Sequence, residues 1–255
     1  MLFDTHAHYD DRQFDSDRHV LISSMKENGV GYIVTAGCSI ESTKAAIALA
    51  EKYDFIYATA GIHPNSCDDM TDAGFDEIKK LAQHPRVKAI GEIGLDYYWD
   101  KTKKDIQKNA FAQQIHIASE LHLPFVIHCR DACGDVVDIL KSEYKSGGAL
   151  MHCFSESKET ARILLDMGLI FAVGGTLTFQ NNVRTVEAVR YIPLESLVIE
   201  TDCPYLSPVP NRGKRNSSLN LHYVSEKIAE IKGVPPYVVE EITTENAKKF
   251  FNIEE

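Results

Sequence analysis

The sequence lacks the features that mark several large classes of protein. It contains no apolar run of about 18 residues, the length that a membrane-spanning helix requires. The first residues show no basic segment followed by an apolar stretch, so we expect no secretory signal peptide. Low-complexity tracts are absent and 44% of the residues are hydrophobic, which excludes an intrinsically disordered chain. We therefore expect a globular cytoplasmic protein that does not enter the membrane.

Cysteine and basic residues are also scarce. Six cysteines in 255 residues are too few for a disulfide scaffold, and we expect reduced thiols. Lys and Arg together number 27 against 37 Asp and Glu, which gives a net charge of −10. This acidic balance argues against a protein that coats nucleic acid by bulk electrostatic attraction. No obligate protein partner is evident from the sequence.

Short apolar segments rich in β-branched and aromatic residues recur along the chain. Most are apolar at nearly every position, as in parallel strands that are covered on both faces. The predicted strands are residues 2–5, 31–36, 56–60, 87–90, 124–127, 149–152, 170–173 and 197–199. Segments with helical spacing follow them, including 106–121, 136–144, 161–168, 221–232 and 236–251.

This alternation predicts an α/β fold with a parallel sheet and right-handed crossovers. Eight units fit either an open doubly wound sheet or a closed (β/α)8 TIM barrel. The number of units and a length close to the roughly 250 residues of that barrel favour closure. No glycine-rich dinucleotide motif follows the first strand, which weakens the open-sheet alternative. Without a recognisable linker, residues 1–255 are predicted to form a single domain.

Such a barrel carries its active site at the carboxyl ends of the strands, where this sequence places polar residues. Two histidines that are two positions apart, His6 and His8, face the same side of a strand. The candidate metal ligands are His6, His8, Glu92, His128, His152 and Asp202. Six groups are more than one ion usually takes from a protein and fit two divalent ions bridged by a carboxylate, for which Glu92 is placed best. Imidazole and carboxylate donors suit zinc, manganese or iron, and magnesium less well.

Other polar residues at these strand ends are candidates for binding an anionic substrate. They are His63, Arg130, Ser155 and Arg212, of which the arginines would bind phosphate through two parallel hydrogen bonds. Asp96 begins a segment, residues 96–99, whose aromatic rings would stack on a nucleobase or else pack beneath a loop.

Six motifs in this order resemble the TatD family of metal-dependent deoxyribonucleases. They occupy residues 4–8, 61–64, 91–98, 128–130, 152–155 and 200–206, and the resemblance extends from residue 3 to about residue 251. It implies a TIM barrel of the amidohydrolase type with a divalent-metal centre that hydrolyses phosphodiesters. The resemblance implies His6, His8, Glu92 and Asp202 as ligands of one metal ion, and Glu92, His128 and His152 as ligands of the other. It also implies that His63, Arg130 and Arg212 hold the substrate phosphate.

We therefore expect a metal-dependent deoxyribonuclease of the exonuclease type that acts on single-stranded DNA or a nucleic-acid end. Water activated by the metal would attack the phosphorus, with Glu92 and Asp202 as the catalytic carboxylates. One alternative is a hydrolase of a small amide, lactone or phosphoester on the same barrel. A second alternative is a barrel that binds metal or nucleic acid without catalysis.

Overall fold

The structure is a computed structural model that describes residues 1–66, 70–99 and 102–254. Strands β1 to β8 span Leu2–Ala7, Val30–Thr35, Ile56–Ala60, Val87–Asp96, Phe125–Arg130, Ala149–Met151, Ile170–Val173 and Leu197–Ile199. Helices α1 to α9 span Arg18–Ser23, Ile40–Lys52, Asp72–Leu81, Lys104–Leu121, Cys133–Glu143, Lys158–Asp166, Val183–Tyr191, Leu221–Lys232 and Pro236–Phe251. No helix within the described ranges is long and apolar enough to cross a membrane.

The spatial contacts between residues divide the chain into two compact units. The first unit contains residues 1–35 and 153–255. Its strands β1 and β2 pair in parallel, as do β7 and β8. A bridge between Ala7 and Cys203 joins β1 to the chain that leaves β8. The Phe3 ring on β1 stacks on Phe251 of α9 with the ring centroids 5.9 Å apart, and both residues are fully buried. The carboxyl ends of β1 and β8 are therefore held side by side.

The second unit contains residues 36–152 and carries strands β3 to β6. All three neighbouring pairs are parallel, and the β4–β5 register continues to Asp96 opposite Arg130. At Gly94, which has a φ of 137°, a Cβ atom would lie 2.1 Å from the carbonyl oxygen of His128. Only glycine therefore allows β4 to approach β5 this closely.

The eight strands follow one another in the sheet in chain order, and helices separate them. The predicted (β/α)8 fold is thereby confirmed, whereas the single domain stays a prediction. Three predicted strand ends were too early, because β1, β4 and β5 continue to Ala7, Asp96 and Arg130. The apolar pattern stops where polar residues begin, but backbone pairing continues through them because it does not depend on side-chain polarity.

Candidate active site

Three of the predicted metal ligands meet in the first unit. The Nε2 atom of His8 lies 3.1 Å from Oδ1 of Asp202, and Nε2 of His6 lies 3.9 Å from the same oxygen. Backbone hydrogen bonds set this arrangement: Asp202 N donates to His6 O at 2.9 Å, and His8 N donates to Cys203 O at 2.7 Å. The side chain of His6 is buried, and those of His8 and Asp202 are about 15% exposed, so the group opens to solvent on one side.

Asp4 supports this group from beneath. Its fully buried Oδ1 accepts from Thr201 N at 2.9 Å, and its Oδ2 accepts from the hydroxyls of Thr201 and Ser218, each at 2.6 Å. Burial raises the pKa of Asp4 to about 6, although these hydrogen bonds oppose the shift. No role for Asp4 was predicted from the sequence. The only indication of one was that a charged residue stands within an apolar strand.

In the second unit, one carboxylate oxygen is surrounded by three imidazoles. Oε1 of Glu92 lies 2.7 Å from Nδ1 of His128, 3.4 Å from Nε2 of His63 and 3.6 Å from Nε2 of His152. Strands β4 and β5 carry Glu92 and His128, His152 directly follows β6, and His63 lies three residues after the end of β3. The exposed fractions of these four side chains range from 3% to 16%. The structure therefore adds His63, predicted as a substrate residue, to the predicted ligands Glu92, His128 and His152.

The thiol of Cys38 contacts the other oxygen of Glu92. Its Sγ donates to Oε2 of Glu92 at 3.4 Å, and the backbone N–H of Glu92 donates to the carbonyl of Gly37 at 2.9 Å. The first contact orients the Glu92 side chain relative to Cys38, and the second fixes its backbone against Gly37. The contact between Cys38 and Glu92 was not predicted from the sequence, because the two residues lie 54 positions apart and no motif connects them.

Asp96 is buried beside the same histidine. Its Oδ2 lies 3.1 Å from Nε2 of His128, and its Oδ1 accepts from the backbone N–H groups of Tyr98 and Trp99 at 2.9 and 3.4 Å. Burial opposes ionisation of Asp96, but the hydrogen bond and positive charge of His128, together with the backbone N–H groups of Tyr98 and Trp99, outweigh it and lower the pKa of Asp96 to about 2.

The titration of His128 reflects the same contacts. Burial alone would lower its pKa, but the hydrogen bonds to Asp96 and Glu92 and the negative charges of these two carboxylates together outweigh burial and raise the pKa to about 9. The pKa of His63 is instead lowered, because burial dominates over its contact with Glu92. A metal-binding histidine usually has its second ring nitrogen hydrogen-bonded to a carboxylate, and the contact between Nε2 of His128 and Asp96 would fix the ring in this way.

Two buried glutamines on α4 hold the backbone around this cluster. Gln114 accepts from Ile62 N at 2.7 Å and donates to Ile62 O at 3.1 Å, directly before His63. Gln107 makes the same pair of bonds with the backbone of Asp96, at 2.9 and 3.1 Å. Each glutamine is 1% exposed. Their position on the apolar face of a helix was the only sign of this role in the sequence.

The remaining predicted substrate residues are exposed, Arg130 at the end of β5 and the other two in loops. Arg130 lies with its guanidinium carbon 3.8 Å from the centre of the Tyr98 ring. Arg212 lies 4.2 Å from the centre of the Phe179 ring and lines a pocket of about 370 Å³. Three amide side chains also line this pocket: Gln180, Asn181 and Asn182. Ser155 is exposed after β6, next to Glu156, which pairs with Arg184.

The donor atoms in both units fit a divalent ion. In the second unit the ligand atoms of His63, Glu92 and His128 all lie within 4.8 Å of one another. In the first unit the two histidine nitrogens converge on a single Asp202 oxygen. Mixed imidazole and carboxylate donors are those that zinc, manganese and iron take in proteins.

Comparison with known proteins gives consistent matches along the chain. A family model described as TatD related DNase matches residues 3–252. The metal-dependent hydrolase YabD of Bacillus subtilis is 48% identical over 254 residues, which cover 99% of this chain and all of that protein. The 3'-5' ssDNA/RNA exonuclease TatD of Salmonella typhimurium is 33% identical over 259 residues, which cover 99% of each protein. The crystal structure of YjjV, a TatD homologue from Escherichia coli K12, matches with a TM-score of 0.94 and 27% identity, covering 99% of this chain and 98% of that one.

Proposed function

Because the chain belongs to the TatD related DNase family of metal-dependent hydrolases, we propose that it is a deoxyribonuclease that hydrolyses phosphodiester bonds at the end of a nucleic-acid strand. The observation that supports this proposal most directly is the environment of Glu92. One oxygen of this buried carboxylate lies within 3.6 Å of nitrogen atoms from three histidines, a donor set that suits a hydrolytic metal centre.

We propose two divalent ions. His6, His8 and Asp202 would hold one ion, and Glu92, His128 and His152 would hold the other. The bridging position of Glu92 remains a prediction from the sequence. Zinc, manganese and iron suit these donors better than magnesium, because magnesium prefers oxygen ligands.

The residues of the chain have distinct parts in the proposed reaction. Bound divalent ions supply Lewis acidity, which lowers the pKa of water and offsets negative charge on the phosphate. Asp202 accepts the proton of the attacking water, because its half-buried carboxylate opens to solvent beside His8. Arg130, Arg212 and His63 stabilise the charge that develops on the phosphoryl oxygens. Asp96 acts on His128 as a positioning residue, by fixing the ring orientation.

The substrate class follows from the relatives and the charge. A relative that covers this chain almost completely is named as an exonuclease of single-stranded DNA and RNA, which supports a nucleic-acid substrate here. The net charge of −10 disfavours long-range capture of a duplex. A strand end bound locally by arginines at the loops is compatible with that charge. The cytoplasmic location and the absence of an obligate protein partner remain predictions.

The experiment that tests the proposal is metal-dependent digestion of end-labelled single-stranded DNA. We expect activity that a chelator removes and that added Mn²⁺ or Zn²⁺ restores. Glu92→Gln should reduce the rate by at least about 100-fold, since losing a ligand disrupts the metal centre more than losing a residue that supports a ligand. Glu226→Gln, which changes an exposed glutamate on α8, is the matched control and should retain full activity.

Two results would contradict this assignment. Full activity of Glu92→Gln in saturating Mn²⁺ would exclude Glu92 as a ligand. Turnover of small amides, lactones or phosphoesters without any cleavage of DNA would favour the alternative hydrolase instead.

A further inference from the structure

Two adjacent aromatic side chains are exposed beyond the end of β4. Tyr98 is 52% exposed and Trp99 is 67% exposed. Their rings meet edge to face, with the centroids 4.9 Å apart and the planes at 89°. From the sequence alone, the aromatic rings of residues 97–99 could either stack on a base or pack beneath a loop, and in the structure the three rings differ in this respect. Tyr97 is buried, with its hydroxyl donating to Asp135 at 2.6 Å, whereas the next two rings face solvent.

The backbone beneath the two rings is fixed. Oδ1 of Asp96 accepts from Tyr98 N at 2.9 Å and from Trp99 N at 3.4 Å. The other oxygen of Asp96 contacts His128, a proposed metal ligand. Gln107 holds the backbone of Asp96 on both its N–H and its carbonyl. One buried carboxylate therefore contacts both the backbone that carries the exposed rings and the proposed metal ligand His128, which places the backbone of residues 98 and 99 next to the proposed metal centre.

A positive charge accompanies the rings. The guanidinium carbon of Arg130 lies 3.8 Å from the centre of the Tyr98 ring and 5.6 Å from that of Trp99. Arg130 is itself exposed, so its N–H groups remain accessible to an anion while its plane stacks on the aromatic ring. Exposed aromatic rings beside a cationic side chain are how proteins bind single-stranded nucleic acid: a base stacks on the ring and the cation binds the adjacent phosphate.

We propose that Tyr98 and Trp99 form a stacking platform for one unpaired nucleobase, while Arg130 binds the phosphate beside it. This inference rests on the proposed nuclease function and deepens it by naming the substrate class. A base in a duplex is already stacked and paired, and exposing it costs a few kcal/mol. The platform therefore selects single strands over duplexes.

Fluorescence provides a direct test, because the chain contains a single tryptophan, Trp99. The metal-loaded wild-type protein is titrated with an octamer of thymidine whose phosphorothioate linkages resist cleavage. Two further probes have the same linkages: an octamer of abasic sugars and a closed hairpin duplex. We expect the thymidine octamer to quench Trp99 emission, and the abasic strand and the duplex to leave it unchanged.

Variants measure the contribution of stacking to affinity. Trp99→Ala should weaken binding of the labelled thymidine octamer, followed by fluorescence anisotropy, by about fivefold or more, which corresponds to the lower end of the range for one stacked base. Trp99→Phe should restore most of the affinity because it retains a ring. Tyr237→Ala, which removes a ring that is 66% exposed on α9, is the matched control and should bind as the wild type does. In cleavage assays, Trp99→Ala should raise KM by a larger factor than it lowers kcat.

The outcomes separate this inference from the proposed function. Equal quenching by the abasic strand, or equal affinity of Trp99→Ala and wild type, overturns the platform. Equal quenching by the duplex overturns the selection of single strands. Cleavage of DNA without quenching overturns the platform and leaves the nuclease assignment standing. Quenching by thymidine octamer without cleavage of any nucleic acid supports the platform as a binding site and contradicts the nuclease assignment.

Discussion

The buried amide of Gln114 offers a sharp test of how the scaffold holds the site. Gln114→Leu keeps the approximate volume of the side chain but removes its donor and its acceptor. The backbone N–H and carbonyl of Ile62, a residue that is fully buried, would both lose their partners. His63 follows Ile62 directly, so the disturbance begins next to the carboxylate and histidine cluster.

The expected cost can be worked out from these two bonds. Each buried backbone group left without a partner costs about 1–3 kcal/mol, which gives about 4 kcal/mol for the pair at the middle of the range. The more apolar leucine side chain offsets about 1 kcal/mol. We therefore expect Gln114→Leu to lower the free energy of unfolding by about 3 kcal/mol, which corresponds to a Tm about 6–12 °C lower in a chain of this size.

Thermal and denaturant-induced unfolding at fixed metal concentration measure this effect. Gln113→Leu is the matched control, because Gln113 is the exposed neighbour on the same helix, and it should change stability by less than about 0.5 kcal/mol.

A second variant, Gln114→Glu, adds a pH dependence. Burial and the facing carbonyl of Ile62 would raise the pKa of the new carboxyl above its ordinary value of about 4.3. A protonated carboxyl donates one hydrogen bond and accepts another, as the amide does. The folded variant therefore binds its proton more tightly than the unfolded chain, and its stability relative to wild type should rise as the pH falls from 8 towards 5. Equal stability of Gln114→Leu and Gln113→Leu, or a pH-independent cost of Gln114→Glu, would refute the reasoning.

Two further predictions concern the first unit. Asp4→Ala should lower the free energy of unfolding by about 2–5 kcal/mol and weaken metal binding, because Thr201 and Ser218 lose a shared acceptor. Asp4→Asn should cost about half as much because it retains one oxygen. Thermal unfolding and metal titration measure both effects, and equal costs of the two variants would contradict this account. Cys203 is fully buried and burial raises its pKa to about 12, so its thiol stays protonated and inaccessible at pH 8. A thiol reagent should modify Cys203 only after denaturation, as read by peptide mass spectrometry, and rapid modification of the native protein would be the contrary result.

The fold was largely predictable from the sequence because its strands are buried on both faces. Continuous apolar runs identified all eight strands, and helices α8 and α9 begin and end where the sequence predicts. The length of β4 was not predictable in this way. Its last residues include Glu92 and Asp96, which look like a loop by polarity, yet residues 93–96 pair with β5 through the backbone.

The site was predictable where a residue type carries its own chemistry. Histidines and carboxylates after successive strands indicated a metal centre, and the structure brings them together within each unit. The supporting residues escaped prediction because their partners are backbone groups far along the chain. Gln114 and Ile62 are 52 positions apart, and only the packing of α4 within the second unit reveals their contact.

Because β4 extends to Asp96, two carboxylates of the proposed site and the proposed base-binding rings lie on different segments of the chain. Glu92 and Asp96 both lie on β4, whereas Tyr98 and Trp99 lie just beyond its end. Under the proposed stacking role, substitutions of the exposed rings would alter which strand ends are accepted without moving either carboxylate. A lineage could therefore change its substrates through residues 98–99 while its hydrolytic chemistry stays under constraint.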